Sequence, residues 1–267
     1  MPTANKLMTL LKNRICDRLQ ITDFHFVEIE AKKRVLPGQA KALRKYLIAK
    51  KKVEHVKSAF FLDQFLDTPN MDLFRLGASM RLRYKRNGSQ VYLQYKGPGF
   101  MEDGLLYRSE FSTDRLKNLM LEESHHDMIH FNKTPIRQIL SRHVGREMGR
   151  ALRTHLGTSV VARISMGPII CVYQKEKFKV KLKSAFLEPS LDRVMAFHIN
   201  KSGLHPLSTF WEYENEVKAQ GASLDGKIKH VPDLLEFDQK LCEKFDLKPE
   251  PLDKYHRCTS IFLPHKK

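Results

Sequence analysis

Glu28 and Glu30 stand two residues apart with Lys32 following at the same interval, and Glu212, Glu214 and Glu216 repeat that interval far along the chain. Residues two apart on a β-strand project from one face. Each stretch then offers a row of carboxylate oxygens, the donors that a hard divalent cation such as Mg²⁺ or Mn²⁺ takes. Other stretches carry cations at the same spacing: Arg81 and Arg83, and a lysine at every odd position from Lys175 to Lys183. Arg108 and Glu110 continue the theme. A single Glu-x-Glu is ordinary on a solvated strand. Two acidic rows and several cationic ones converging on one enclosed space could hold metal and phosphate together.

The elements that must position these residues are legible in the periodicity. Asn87-Gly88, flanked by alternating residues, is a two-residue hairpin signal. If Arg86 faces Ser89, then Arg83 faces Tyr92 and Arg81 faces Gln94. One face then carries Arg81, Arg83, Lys85, Gln90, Tyr92, Gln94 and Lys96, and the other Met80, Leu82, Tyr84, Val91, Leu93 and Tyr95. Alternation recurs at 26–32, 175–183 and 211–217. Separating acids from cations strand by strand is costly in an open sheet, but a closed barrel brings them face to face. The expected fold is therefore α+β and mainly antiparallel β, a closed barrel of the eight-stranded type with a polar lumen and surrounding helices.

Helical spacing is seen at Leu7, Leu10, Leu11, Ile15 and Leu19, and at Ala40, Leu43, Leu47 and Ile48 after Pro37-Gly38. It is also expected from 113 to about 156, with a break near Pro135, and over 232–245. The expectation is one domain over 1–267: an N-terminal helix (1–23), a first barrel half (24–112), a helical insert (113–157), a second half (158–218), and a C-terminal helix and tail (219–267).

Composition narrows the partners. Lys and Arg number 47 against 30 Asp and Glu, a formal charge of +17, which favours polyanions: a triphosphate or polyphosphate substrate, nucleic acid or an anionic surface. Cys16, Cys171, Cys242 and Cys258 form no Cys-x-x-Cys pair, so neither a disulfide framework nor a zinc knuckle is indicated. A reducing, cytoplasmic location is expected, since no stretch has the length of a signal peptide or a spanning helix. His125, His126 and His130 include an i, i+4 pair but no third ligand, and read as a solvated helical face.

Glu28-Ile-Glu30-Ala-Lys32 resembles the Glu-x-Glu-x-Lys signature of the CYTH superfamily, the triphosphate tunnel metalloenzymes. The order that follows is similar too: Phe65-Leu-Asp67-Thr-Pro69, Leu73, Gly77-Ala-Ser-Met-Arg81-Leu-Arg83, Leu93-Gln-Tyr-Lys96-Gly97-Pro98 and Tyr107-Arg108-Ser-Glu110. The second half matches through Arg163, the Lys-rich strand with the following Asp192, and the acidic strand at 211–217. The ending, Glu216-Val-Lys218 and then Asp253-Lys254-Tyr255, resembles the vacuolar transporter chaperone type of polyphosphate polymerase.

The resemblance implies a metal-dependent hydrolase that cleaves a phosphoanhydride bond of inorganic triphosphate, a nucleoside triphosphate, thiamine triphosphate or an RNA 5′ end. It implies catalytic roles for Glu28, Glu30 and Lys32, and Mg²⁺ or Mn²⁺ ligands among Glu28, Glu30, Glu110, Glu212, Glu214 and Glu216. Phosphate would be held by Arg81, Arg83, Lys96, Arg108, Arg163, Lys177, Lys179, Lys181 and Lys254. Two positions depart from the family pattern: Ser112 stands where a second acid is common, and Ser165 where another cation is expected. The alternatives on the same fold are a polyphosphate polymerase or adenylate-cyclase-type phosphotransferase, and a non-catalytic module that binds polyphosphate or RNA.

Overall fold

The computed structural model describes residues 4–85, 90–116, 136–200, 202–220 and 224–263. The chain runs through α1 (Ala4–Arg18), β1 (Val27–Val35), α2 (Pro37–Ala49), β2 (Val53–Asp67), α3 (Asp72–Leu76), β3 (Ser79–Lys85), β4 (Gln90–Glu102) and β5 (Leu105–Ser112). It continues with α4 (Ile136–Arg142), α5 (Arg146–Leu156), α6 (Thr158–Val161), β6 (Ser165–Lys181), β7 (Ala185–Asn200) and β8 (Gly203–Ala219). Last come α7 (Asp225–Lys229), α8 (Val231–Phe245), the short β9 (Lys248–Pro249) and α9 (Lys254–Phe262).

All strand pairings are antiparallel, in the order β5-β4-β3-β2-β6-β7-β8-β1, and β1 closes the circle by pairing with β5 as well. Eight strands thus form a ring, with β9 added beside β1. The seam is shared along β1. Val27 to Glu30 pair with β5, and Glu30 to Val35 pair with β8. The wall is uneven, since β3 has 7 residues whereas β6 and β8 have 17 each.

Alternation decides which residues enter the ring. In β3 and β4 the expected register is observed, Arg83 opposite Tyr92 and Arg81 opposite Gln94. Met80, Leu82, Val91, Leu93 and Tyr95 are buried on the outer face, where Leu43 and Leu47 of α2 and Leu234 and Leu241 of α8 join the same apolar core. Asp103-Gly104 makes a second two-residue turn between β4 and β5, with φ of 51° and 79°, the conformation that favours Asp-Gly. The Asn87-Gly88 turn itself lies outside the described residues.

A second apolar cluster sits on inward-facing positions. Phe61 and Phe65 of β2, Cys171 and Tyr173 of β6, Val194 of β7 and Phe210 of β8 pack against Tyr255 and Cys258. The polar lumen expected from the sequence therefore ends on one side in an apolar floor, covered by α9. That helix is fixed by its first turn. Asp253 caps it by accepting from the His256 backbone N–H at 2.9 Å, Tyr255 donates its hydroxyl to Asp67 at 2.5 Å, and the His256 ring meets the Phe74 carbonyl at 3.1 Å.

Two expectations about helices change. Ile15 and Cys16 of α1 and Leu19 just after it reach the core, but Leu7 and Leu10 are exposed, so only the end of the helix packs. The tail expected after α8 contains a helix, α9, whose Lys254, Tyr255 and His256 are buried. The break near Pro135 and the His125, His126 and His130 group lie outside the described residues. No helix among the described residues is long and apolar enough to cross a membrane.

Candidate active site

The ring encloses a cavity of about 270 Å³ lined largely by charged side chains. Its walls carry Glu28, Glu30 and Lys32 from β1, Arg81 and Arg83 from β3, Lys96 from β4, and Arg108 and Glu110 from β5. Lys177 of β6, Glu214 and Glu216 of β8 and Lys254 of α9 complete the expected residues that reach it. Glu212 is wholly buried and meets Lys32 and Lys254.

Three expected phosphate ligands stand elsewhere. Arg163 lies in the turn before β6, half exposed, 3.3 Å from Asp72. Lys181 is exposed and 3.8 Å from Glu54, and Lys179 lies over the Phe186 ring at 4.4 Å. Alternation gives the face a residue takes but not its height along a strand, and the far end of the long β6 carries these lysines away from the cavity. Ser112 and Ser165 do not line the cavity either; Ser165 leans toward the Asp67 carbonyl.

Strand register sorts the acids into two groups. Glu30 lies opposite Glu216, which lies opposite Glu188 of β7. Around this row Lys96 holds Glu28 at 2.7 Å and Glu110 at 3.4 Å, while Arg108 holds Glu28 at 2.8 Å and Glu30 at 2.6 Å. Lys218 pairs with Glu216. Within ion-pair distance four carboxylates share three cations, with the buried Lys227 close enough to feel Glu216, Glu28 and Glu110, and Asp253 also draws on Arg108 at 3.3 Å.

The protonation preferences diverge along this row, and Glu110 is lowered, its burial and the charge of Glu28 outweighed by Lys96, Lys218 and Arg81. Burial would raise the Glu28 carboxyl, but Lys96 and Arg108 hold it well below the usual range. Glu30 is raised, by burial and by Glu28 beside it, against the pull of Arg108. Glu216 is pushed up to about 8 by burial, with the charges of Glu28 and Glu110 adding to it and Lys218 opposing. Oxygen donors suit a hard divalent cation, and among the described residues the group that brings three carboxylates within 4.8 Å of one another is the second one, on β7 and β8.

The second group is Asp192, Glu212 and Glu214, whose oxygens lie within 4.8 Å of one another. Lys254 reaches Asp192 at 2.9 Å and Glu214 at 3.0 Å, and touches Glu212. Lys32 lies 3.1 Å from Glu214, and Lys175 lies 3.1 Å from Asp192 and 2.7 Å from Glu214. Here three carboxylates meet three ammonium groups. Burial opposes the charge on Lys254, and Asp192, Glu212 and Glu214 outweigh it, raising its pKa well above the ordinary value.

Cations dominate the opposite wall. Lys57 of β2 lies opposite Lys177, and Lys85 of β3 lies opposite Phe61. Lys85 is less basic than usual because burial and the charges of Arg83, Lys177 and Lys57 all disfavour its proton. Neither Lys57 nor Lys85 has a carboxylate partner within ion-pair distance among the described residues. Arg81 and Arg83 are aimed from behind by Asp63, wholly buried and 2.9 Å from each, while Tyr173 donates to the same carboxylate at 2.9 Å.

Several of these residues escape a reading of spacing. Lys85 was visible on the hairpin face. Asp63 is one acid inside the apolar run Phe60 to Leu66, and Asp192 is a lone acid near Leu191 and Val194, so neither belongs to a row. Their role depends on pairings between distant strands, Asp63 with Arg83 and Asp192 with Lys175 and Glu212.

The family model of the CYTH domain matches residues 27–131. A search of curated proteins gives no match. Among solved structures, a protein from Hippeastrum, named as an adenylyl cyclase and described as revealing a dominant triphosphatase activity, is 17% identical with a TM-score of 0.55. The match covers 87% of this chain and 95% of that one. A protein from Bacillus halodurans, also named as an adenylate cyclase, is 17% identical with a TM-score of 0.50, covering 87% of this chain and 97% of its own. At these identities the likeness is one of fold. The chain therefore carries a match to the CYTH domain over residues 27–131, set in a closed ring whose fold is that of these two proteins.

Proposed function

We propose that the chain is a divalent-cation-dependent hydrolase acting on a triphosphate: inorganic triphosphate, a nucleoside triphosphate, thiamine triphosphate or an RNA 5′-triphosphate. One observation carries this reading. A single cavity sets a row of carboxylates, four to three cations within ion-pair distance, against a cationic wall of Lys57, Lys85, Lys177 and Arg83, in which Lys177 pairs with Glu188 while Lys57 and Lys85 have no carboxylate partner among the described residues.

Glu28, Glu30 and Glu216, with Glu110 beside them, would hold Mg²⁺ or Mn²⁺, which when bound neutralises phosphate oxygens and makes a coordinated water more acidic. Lys57, Lys85 and Lys177 hold phosphate oxygens as point charges, while Arg81 and Arg83 present guanidinium groups whose direction Asp63 sets. Lys96 and Arg108 keep Glu28 ionised. In the reaction the oxygen of water bonds to phosphorus as that water passes a proton to a lumen carboxylate, the bridging P–O bond breaks, and its electron pair leaves with the departing phosphate. Positioning and charge stabilisation do most of this work.

Phosphate release is measured across the four substrate types with Mg²⁺ or Mn²⁺, comparing the native chain with Glu28→Ala/Glu30→Ala. The variant is expected to lose ~10²–10³-fold in rate. Activity on none of the substrates, or equal activity in the variant, would sink the proposal. Product separation in the same assay discriminates a phosphotransferase, which would yield long polyphosphate or a cyclic nucleotide from ATP instead of free phosphate.

A further inference from the structure

We propose that Tyr92 and Phe186 form a stacking site at the mouth of the lumen for a neutral nucleobase, so that the triphosphate is carried by a nucleoside, free or at the 5′ end of an RNA. The inference rests on reading the lumen as a triphosphate site, and goes beyond it by choosing among the substrates that such a site could take.

Register places both side chains at one end of the lumen. The apolar floor lies where β2 ends and β6 begins, with Phe65 and Cys171 against α9. At the other end β3 and β6 finish and β4 and β7 start, with Lys85 opposite Gln90 and Lys181 opposite Phe186. On β4 the residues that line the cavity are Lys96 and Gln94, and the next inward position is Tyr92. On β7 they are Ser190 and Glu188, and the next inward position is Phe186. Each aromatic side chain therefore stands one inward step, about 7 Å, beyond the last lining residue of its strand. In the closed order of strands β4 and β7 are separated by β3, β2 and β6 one way and by β5, β1 and β8 the other. They stand on opposite walls.

The chemistry of the two positions departs from that of their surroundings. Charged side chains dominate the inner face toward the mouth, whereas these two offer flat apolar faces, half-buried and without an aromatic partner among the described residues. The Tyr92 hydroxyl has a long contact of 3.5 Å with Gln90, so the face of the ring is what the position supplies. Lys85 lies over that face, 4.4 Å from its centroid, and also lines the cavity, which sets the phosphate-holding wall directly beside Tyr92. Lys179 lies 4.4 Å from the centroid of Phe186. Aromatic faces of this kind stack on any flat base. Inorganic triphosphate has nothing to place there. A cationic thiazolium would meet Lys85, Lys179 and Lys218, which stands opposite Phe186, and like charges repel.

The test titrates two ligands that resist hydrolysis, imido-ATP and diimidotriphosphate, into the native chain, Tyr92→Leu and Phe186→Leu by calorimetry with Mg²⁺ present. Phosphate release from ATP and from inorganic triphosphate is measured alongside. The native chain is expected to bind imido-ATP more tightly than diimidotriphosphate. Each leucine variant should weaken imido-ATP ~10-fold and leave diimidotriphosphate unchanged, which also shows that the lumen is intact. Tyr92→Phe and Phe186→Tyr keep an aromatic face and should bind as the native chain does. Equal weakening of both ligands in folded variants, or of neither, overturns the proposal. So does tighter binding of thiamine triphosphate than of imido-ATP. A 5′-triphosphorylated trinucleotide separates the two sources: it matches imido-ATP if an RNA end is taken and binds distinctly more weakly if the free nucleotide is. Native binding as expected with no phosphate released from either substrate would refute the hydrolase and leave the stacking site standing, whereas a native chain that binds neither ligand overturns both.

Discussion

The Glu28 row and the Asp192 group draw on the same materials and even share a strand, since β8 supplies Glu216 to one and Glu212 and Glu214 to the other. Their balance differs. At the first, four carboxylates divide three cations, and the charges of Glu28 and Glu110 add to burial in lifting Glu216. At the second, lysines from β1, β6 and α9 match the acids one for one; Glu214 is held well below the usual carboxylate range by Lys175, Lys254 and Lys32 against its burial, while burial raises Glu212 against the pull of Lys254 and Lys32. Acidic residues in a lumen therefore do not by themselves mark a metal site. On the proposed reading, the charge left over after the protein's own cations are counted is one guide, and the convergence of carboxylate oxygens is another.

That contrast can be broken by changing one carboxylate at a time. Asp192→Asn should cost about 3–5 kcal/mol of stability, because it strands buried ammonium charge; denaturant unfolding checks it. Unchanged stability would mean that the second group is not balanced as described. Glu216→Gln should act the opposite way. A carboxyl pushed up to about 8 is largely protonated at neutral pH, so glutamine nearly matches it, and stability should stay unchanged or rise by up to ~1 kcal/mol, while Mn²⁺ binding weakens. A clear loss of stability would show that the row is already satisfied by its cations.

A smaller effect should follow pH. Burial works against the His256 proton, but the hydrogen bond and charge of Asp253 and the Phe74 carbonyl more than offset it, with Arg108 opposing, so the pKa is raised above 6.5. A group whose folded pKa is raised stabilises fully below its unfolded value and loses that contribution as pH rises through the folded one. The melting temperature of the native chain should therefore exceed that of His256→Ala most at acidic pH, with the gap narrowing above pH 6.5. A gap that widens with pH would reverse the assignment.

How much of this was legible depended on whether information lay within one strand or between strands. Glu28-x-Glu30-x-Lys32 and the β3–β4 hairpin were readable because a period of two and a tight turn fix both face and register locally. Asp103-Gly104 carried the same kind of signal, one turn further on. Lys177 could not be separated from Lys179 and Lys181 by spacing, because all three share a face and differ only in how far along the ring they stand. Helix α9 was harder still. Lys254-Tyr255-His256-Arg257 reads as a polar tail, and its burial is created by inward-facing Phe61, Phe65 and Tyr173 on strands almost 200 and 80 residues earlier. The closing end of the lumen is thus a property of the assembled ring.

The double pairing of β1 also has a consequence for how the chain is made. Its residues 27–30 need partners at 106–109, and its residues 30–35 need partners at 211–216. The β5 half of the seam, where Glu28 and Glu30 meet Arg108, has its partner strand much earlier in the sequence than the β8 half, where Lys32 meets Glu212 and Glu214. Contacts as distant as the second kind slow folding, so closing the ring is set by β8.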